Sequence, residues 1–234
     1  MSVIIVDLMP LIIRETFGHQ LWTERELAIT IAHKIVSFGD TVVVAIDSKK
    51  SLRKNEDSAY KKKRKLPPEI SRKIGKVTQM VIRLLREANI PMYQAEGYEA
   101  DDVIATLCKT KYKDTDKVIV SSDKDLYQIL DERTVIFTGS KFITDETFRK
   151  EYGIEPKDWV TVQSLAGDRT DEVVGVKGIG IKTALKLVKH HGERVEEALT
   201  EEQREQFKRA RKMVKLRLIE NIQEVSHDLS SQGN

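Results

Sequence analysis

Three short apolar runs constrain the fold of this 234-residue chain more than any other feature of its sequence. They are rich in β-branched residues and occupy residues 3–6, 41–46 and 117–120. Their hydrophobicity is continuous rather than alternating, which is typical of strands buried on both faces of a parallel sheet. Apolar residues at helical spacing mark the intervening segments 24–38, 70–88 and 99–107. This alternation predicts an α/β fold with a mostly parallel central sheet flanked by helices.

After about residue 140 the strand pattern gives way to helical periodicity. The predicted helices there span residues 144–150, 157–165, 182–190 and 201–222. We therefore expect an α/β domain over residues 1–140, a helical region over residues 141–225 and a polar tail over residues 226–234. A Lys-rich segment, residues 48–68, lacks apolar periodicity and is long for a connection within a compact domain, which indicates a functional role.

Composition excludes several classes of protein. The chain has one cysteine, Cys108, so it forms no intramolecular disulfide and no cysteine-based zinc site. No run approaches the length of a membrane span, and the apolar start is too short for a signal peptide. The 40 basic residues nearly balance the 37 acidic ones, so the placement of charge matters more than its sum. We expect a reduced, cytoplasmic-type protein that does not bind membranes.

A carboxylate follows each of the three apolar runs. In doubly wound sheets, ligands bind beyond the carboxyl ends of the strands, so these acids and others nearby form a candidate site. The set comprises Asp7, Asp47, Glu99, Asp101, Asp102, Asp123, Asp125, Asp168 and Asp171. Ligation by oxygen alone favours two Mg²⁺ or Mn²⁺ ions over zinc, and such a pair suits phosphodiester hydrolysis. Helix caps and turn residues are the alternative interpretation of each acid taken singly.

Positive charge is concentrated in the long polar segment. Among its bases are Arg53, Lys54, Lys61, Lys62, Lys63, Arg64 and Lys65. Tyr60 lies among them, and bases combined with an aromatic ring are typical of sites for single-stranded nucleic acid. A second basic run, residues 204–217, places Lys208, Arg211, Lys212 and Lys215 on one helical face. A solvated helix surface is the alternative interpretation of this second run.

Residues 175–184 read Gly-Val-Lys-Gly-Ile-Gly-Ile-Lys-Thr-Ala and predict a helix–hairpin–helix motif within residues 164–190. Glycine lets the backbone approach a ligand closely, and N–H groups at the start of the next helix can hold a phosphate. Lys177 and Lys182 add charge without reading bases, which predicts sequence-independent duplex binding. A plain junction between two helices is the alternative.

Taken together and in this order, the motifs resemble those of the flap endonuclease superfamily of 5′ nucleases, in particular its bacteriophage and bacterial 5′–3′ exonuclease branch. The motifs are Val-Asp at Asp7, Ile-Asp at Asp47, Tyr-Lys-x-x-Arg from Tyr60, Glu-Ala-Asp-Asp from Glu99, Ser-Asp-Lys-Asp from Ser122, Gly-Asp-x-x-Asp from Gly167 and Gly-Val-x-Gly-Ile-Gly from Gly175. The resemblance implies a structure-specific nuclease that hydrolyses DNA or RNA near 5′ single-strand/duplex junctions by two-metal-ion catalysis. It also implies a role in primer or flap removal during replication, in the cytoplasm of a bacterial or phage-infected cell.

The resemblance assigns roles to individual residues. The ligands of a first metal would be Asp7, Asp47, Glu99 and Asp101. The ligands of a second would be Asp123, Asp125 and Asp168, with Asp102 and Asp171 in outer positions. The polar segment, residues 48–68, resembles the arch through which a 5′ single strand passes. Within it, Lys61 and Arg64 resemble catalytic arch residues that touch the scissile phosphate. The expected DNA contacts are Arg14, Arg53, Tyr60, Gly175, Lys177, Gly178, Gly180, Lys182 and Thr183.

The implied partners are DNA with a 5′ single-strand/duplex junction and an RNA–DNA hybrid, bound by a monomer that acts beside replication proteins. Relatives also hold a monovalent cation, K⁺, on the backbone carbonyls of the glycine hairpin. One departure is Leu8, where many relatives have glycine after the first aspartate. Two alternatives stay open: a PIN-type ribonuclease, which has no need of the hairpin, and a non-catalytic junction binder on the same fold.

Overall fold

The computed structural model describes residues 2–39, 41–62 and 66–225. The strands found there are β1 (Val3–Asp7), β2 (Val42–Ala45), β3 (Met92–Gln94), β4 (Lys117–Val120), β5 (Thr134–Phe137), β6 (Phe142–Ile143), β7 (Gly167–Asp168), β8 (Val173–Val174) and β9 (Gln223–Glu224). The α-helices are α1 (Leu8–Gly18), α2 (Glu24–Val36), α3 (Leu52–Glu56), α4 (Pro68–Glu87), α5 (Ala100–Lys109), α6 (Asp145–Tyr152), α7 (Trp159–Ala166), α8 (Ile181–His191) and α9 (Glu201–Val214). Short 3₁₀ helices span Asp125–Ile129, Pro156–Asp158 and Gly192–Ala198. Arg64 and the polar tail, both singled out in the sequence, lie outside the described residues.

Seven strands form one sheet in the order β6-β5-β4-β1-β2-β3-β9. Strands β1 to β5 run parallel, and the edge strands β6 and β9 run antiparallel to their neighbours. From β1 the chain builds the sheet outward in one direction to β3, then returns to the other side of β1 for β4 and β5. The reversal therefore lies between β1 and β4, where such sheets bind their ligands. The predicted fold class is confirmed.

Helices cover both faces of the sheet because successive residues of its central strands point to opposite sides. On one face Val6 and Val44 pack with α1, α2 and α4. On the other, Ile5 and Val43 pack with α5 and with the helices of the second half of the chain. Local sequence signals set the helix starts: Thr23 and Glu26 form a capping box for α2, and α4 begins at Pro68.

The second half of the chain departs from the all-helical expectation. It contains the short strand β6, the hairpin β7–β8 and the edge strand β9. Strands of two residues are too short to produce a periodic pattern, and the same applies to the three-residue strand β3, which the sequence also failed to reveal. Among the described residues, none of the helices has the length and apolarity that crossing a membrane requires.

Helix α9 ends at Val214, eight residues before its predicted end. The cause is tertiary, because the Arg53 guanidinium donates hydrogen bonds to the carbonyls of Met213 (2.8 Å) and Lys215 (3.0 Å). The chain then returns to the α/β part, where the Ile219 N–H donates to Thr106 Oγ1. Strand β9 follows and pairs with β3 at the edge of the sheet.

Candidate active site

A cavity of about 720 Å³ opens at the carboxyl edge of the sheet, at the reversal between β1 and β4. Six of the nine candidate acids line it: Asp7, Asp47, Asp101, Asp123, Asp168 and Asp171. Lys61 and Arg14 line the same cavity. Glu99, Asp102 and Asp125 do not line this cavity.

Hydrogen bonds to side chains join the ends of β1 and β4 to each other and the end of β2 to α5. The Ser121 hydroxyl, just beyond β4, donates to Asp7 Oδ2 at 2.8 Å and accepts from the Asp123 N–H at 3.1 Å. Asp47 Oδ1 accepts from the N–H of Ala100 at 2.9 Å, in the first turn of α5. A helix N-terminus favours negative charge, so α5 helps to hold the carboxylate of Asp47 in place.

The tightest acidic group is Asp101, Asp123 and Asp125, whose carboxylate oxygens lie within 4.8 Å of one another. Burial, and then the charge of Asp123, raises the pKa of Asp125 to about 8. Burial, followed by the neighbouring carboxylates, raises the pKa of Asp7 and of Asp101 well above the usual range. Converging carboxylate oxygens that resist ionisation together fit a hard divalent cation, which would restore their charged form.

Asp102 directly follows Asp101 in the sequence, but its side chain has a different environment. Its side chain is 0% exposed, and Arg53 donates to both of its oxygens at 2.6 and 2.8 Å. Its Oδ1 also accepts from the N–H of Arg217 at 2.8 Å. Because both oxygens are taken by basic groups inside the protein, the interpretation of Asp102 as a metal ligand does not fit. Arg53 is 4% exposed, so its assignment as a DNA contact does not fit either.

Glu99 lies behind Lys61 instead of on the cavity wall. The Lys61 ammonium is 3.0 Å from Glu99 Oε2 and 3.3 Å from Asp171 Oδ2. Burial opposes ionisation of Glu99, but Lys61 and Arg53 outweigh it and hold the pKa of that carboxyl below its usual value. The predicted place of Glu99 among the ligands of the first metal is therefore replaced by a salt bridge that positions Lys61.

Lys61 is held firmly at the cavity. Burial opposes its charge, yet Glu99 and Asp171 raise the pKa of its ammonium above the usual value. Its backbone has φ of 53°, an uncommon conformation for a residue other than glycine, and its N–H donates to the Asp171 carbonyl at 3.0 Å. Strained backbone of this kind persists where surrounding contacts determine it, and it clusters at functional sites.

Tyr60 does not present its ring to solvent. The side chain is 4% exposed and packs with Val160, Val173 and Met213. Its hydroxyl lies 2.9 Å from Glu99 Oε2 and 3.2 Å from an oxygen of Asp171. No ring face is left for a base, so the stacking role expected for Tyr60 is corrected to that of an anchor for the polar segment.

The glycine motif joins α7 to α8 through the β7–β8 hairpin. A Cβ atom on Gly175 would lie 2.3 Å from the backbone nitrogen of Gly167. This position is therefore restricted by backbone packing, and the interpretation of Gly175 as a DNA contact is replaced by that structural role. Gly178, with φ of 82°, and Gly180 face open space instead.

Gly180 is the N-cap of α8, and no side chain caps this helix start. Lys177, Lys182 and Thr183 are exposed around it. The Lys177 N–H donates to Gln206 Oε1 at 2.9 Å, which ties the hairpin to α9. An uncapped helix start flanked by exposed lysines has the properties of a phosphate site.

Three residues at the site were missed in the sequence. Ser121 bonds Asp7 and the Asp123 backbone, Lys124 lines the cavity, and the Gln163 amide donates to Asp125 Oδ1. Ser121 and Lys124 could have been found, because they lie within or beside the Ser-Asp-Lys-Asp motif. Gln163 lies on α7, far along the chain, and carries no local signal.

Comparison with known proteins places this site in a family. A model described as the 5′–3′ exonuclease N-terminal resolvase-like domain matches residues 3–153, and one described as the 5′–3′ exonuclease C-terminal SAM fold matches residues 154–232. The chain belongs to the 5′–3′ exonuclease family. Within this family the chain is similar to DNA polymerase I of Thermus thermophilus (40% identity over 158 residues) and of Bacillus subtilis (38% over 157).

Those matches cover 66% and 63% of this chain but only 18% and 17% of the two polymerases, so the chain spans a small part of these relatives. Among solved structures, a T5 5′-exonuclease with bound zinc has a TM-score of 0.75 at 18% identity, covering 92% of this chain and 89% of that one. The catalytic core of Rad2 in complex with DNA substrate has a TM-score of 0.57 at 19% identity, covering 88% and 70%. At these identities the structures support the fold alone.

Proposed function

We propose that this chain hydrolyses phosphodiester bonds of DNA near a 5′ single-strand/duplex junction and depends on divalent metal ions. The observation that supports this most directly is the convergence of Asp101, Asp123 and Asp125, the first two of which line the same cavity as Lys61. An acidic group beside a fixed cation can hold metal ions and still accept a phosphate. RNA paired with DNA is included among the proposed substrates, with primer or flap removal as the process.

The residues that would hold two Mg²⁺ or Mn²⁺ ions are Asp7, Asp101, Asp123 and Asp125, with Asp47 and Asp168 at the edge of the group. When bound, such ions activate a water molecule for attack and stabilise charge on the leaving oxygen. Lys61 then orients the scissile phosphate and balances its charge, because its salt bridges hold the ammonium at the cavity wall. We propose Arg64 as a second cation at the phosphate.

Duplex DNA would be held at the start of α8. The exposed Lys177 and Lys182 flank backbone N–H groups there, so contacts go to phosphates and carry no base preference. A K⁺ ion on the carbonyls of the hairpin is part of this proposal. The arch of residues 48–68 would then separate the single strand from the duplex, and the protein would act as a monomer.

The test compares cleavage of a 5′-flap duplex, a nicked duplex and an RNA-primed duplex by the unaltered chain and by Asp123→Asn, all with Mg²⁺. Cleavage should collapse in the variant while binding of the flap duplex, measured with Ca²⁺, survives. Asp116→Asn is the matched control, because Asp116 is exposed and pairs only at the surface with Arg133. Full activity of Asp123→Asn would overturn the assignment, and cutting of single-stranded RNA alone would favour a PIN-type ribonuclease.

A further inference from the structure

A second groove, of about 970 Å³, lies between the end of α3 and the carboxyl end of α9. We call it the α9 groove. Its acidic side is formed by Glu56 and Asp57, and its basic side by Arg209, Lys212, Lys215 and Arg217. It shares no lining residue with the active-site cavity. None of the residues proposed to contact the metal ions or the DNA lines this groove.

The charges of the α9 groove divide into a neutralised pair and an available set. Arg217 is bound by Glu56 through two contacts, at 3.0 and 2.7 Å. Arg209, Lys212 and Lys215 are exposed, and none of them forms an ion pair with another described residue. Arg209 and Lys212 are three residues apart on α9, about 4.5 Å along its axis, and Lys215 is the first residue after the helix. The three exposed cations therefore form a short row of positive charge at the carboxyl end of α9, and this charge fits a polyanion.

Apolar side chains form the rest of the groove. Met213 is buried, Leu216 is half-buried, and Leu218 is 62% exposed beside the row of cations. A nucleic-acid strand has both properties that such a surface recognises, since its phosphates repeat at short intervals and its sugars and bases present apolar faces. An acidic protein segment would match the charge but has no such repeat.

The position of the groove connects it to the active site. Glu56 and Asp57 line the groove, and Lys61, four residues after Asp57, lines the cavity. A chain of that length spans at most about 14 Å. Tyr60 anchors the intervening segment between the two by packing against Met213. A strand whose phosphate lies at Lys61 can therefore continue into the α9 groove along the protein surface.

We propose that the α9 groove binds a single-stranded segment of nucleic acid, through the phosphates, on the far side of the polar segment from the metal site. The duplex lies elsewhere, at the start of α8. That the bound strand belongs to the substrate rests on the proposed function, whereas the binding of a single strand by the groove does not.

The test uses the triple variant Arg209→Gln, Lys212→Gln, Lys215→Gln, which removes charge from exposed side chains and leaves the core intact. Binding is measured by fluorescence anisotropy over a series of salt concentrations with Ca²⁺, on a duplex with a 5′ single-stranded tail and on the same duplex without the tail. For the tailed duplex, the slope of log affinity against log salt should become shallower by about 2, and affinity should fall at least about tenfold at low salt. Binding of the tailless duplex should stay unchanged.

A charge-matched control is Lys109→Gln, Lys113→Gln, Arg133→Gln, which alters three exposed bases near the amino ends of β4 and β5. It should leave the slope unchanged with either duplex. Equal losses for both duplexes in the groove variant would overturn the single-strand assignment in favour of a duplex surface. No loss for either would overturn nucleic-acid binding at the groove, leaving an acidic protein as the occupant to test. Cleavage of a nicked duplex, which has no single-stranded tail, separates this proposal from that of the active site. The groove variant should cleave it as fast as the unaltered chain, whereas a failure of both proteins to cleave it would contradict the proposed function and not the groove.

Discussion

The start of α5 contributes carboxylates to two groups of acids, which have opposite electrostatic environments. The clustered acids, Asp7, Asp101 and Asp125, face other carboxylates and have a raised pKa. The paired acids, Glu99 and Asp102, are bound by Lys61 and Arg53. Both groups are withdrawn from water, so burial alone does not explain the difference. What differs is whether the protein itself supplies the opposite charge.

This difference separates structural from functional acids. A buried carboxylate that forms a salt bridge with arginine or lysine has a structural role, and removing one partner leaves the other charge buried and unpaired. A group of carboxylates without that match is destabilising until a cation arrives, which is typical of a binding site. Asp101 and Asp102 are adjacent in sequence but point about 100° apart on the helix, so each belongs to a different group.

The largest effect should come from a clustered acid. Asp101→Asn should reduce cleavage of a 5′-flap duplex by roughly 10³-fold or more, since a metal contributes several kcal/mol to stabilising the transition state. Its urea midpoint without metal should stay the same or rise at pH 8, because one repelling charge is gone. The measurement is single-turnover cleavage with Mg²⁺ beside urea denaturation in EDTA. Glu96→Gln, at an exposed site, should change neither quantity.

The next effect should come from a paired acid. Asp102→Ala removes both short contacts of the buried Arg53 and leaves it only the longer contact to Glu99 at 3.4 Å, so it should lower the free energy of unfolding by about 3–5 kcal/mol. Urea denaturation measures this. Glu56→Gln breaks the half-exposed pair with Arg217 and should cost less than about 1 kcal/mol. If the two variants lost equal stability, the contrast between buried and exposed pairs would be wrong.

The change in stability per pH unit should be smaller than the loss caused by removing Asp102, and it should follow the clustered acids. Because the pKa of Asp7, Asp101 and Asp125 is raised in the fold, the folded state holds more protons than the unfolded state above about pH 4. Stability without metal should therefore fall as pH rises from 5 to 8, by up to about 1.4 kcal/mol per pH unit for each titrating carboxyl. The lowered pKa of Glu99 acts in the opposite direction, but only below about pH 4.5.

Thermal unfolding in EDTA at pH 5.5 and 8, with and without Mg²⁺, measures this dependence. Mg²⁺ should raise Tm more at pH 8 than at pH 5.5, because the clustered carboxylates hold fewer protons at pH 8 and their charges repel until the metal binds. Asp125→Asn should flatten the profile in EDTA. A Tm in EDTA that rises between pH 5.5 and 8 would contradict the raised pKa of the clustered acids.

The smallest effect should come from the anchor of the polar segment. Tyr60→Phe keeps the ring in its apolar contacts and removes only the hydroxyl beside Glu99 and Asp171, so we expect a loss of about 1 kcal/mol in unfolding free energy. Affinity for a tailed duplex should stay unchanged, as measured by anisotropy with Ca²⁺. Tyr60→Leu is the comparison, because it removes aromatic packing as well and should destabilise further.

Much of the fold was readable because its signals are local. The strands β1, β2 and β4 are continuous apolar runs, and the carboxylates that follow them had to share one edge once the sheet was parallel. The end of helix α9, in contrast, could not be predicted from local sequence signals. Its periodicity continues past Val214, yet the helix ends there because Arg53, 160 residues earlier in sequence, takes the carbonyl of Met213. A contact so distant in sequence leaves no local pattern.

The sequence by itself determined which chemistry is available: acids at the ends of strands, bases in a polar segment, and glycines between two helices. Only the tertiary structure decided which acids remain for a metal. Asp102 and Glu99 carry the same charge as Asp101, and no spacing rule distinguishes them. Arg53 and Lys61 neutralise the first two and leave the third, because the anchored polar segment brings its cations to one side of α5 and not to the other.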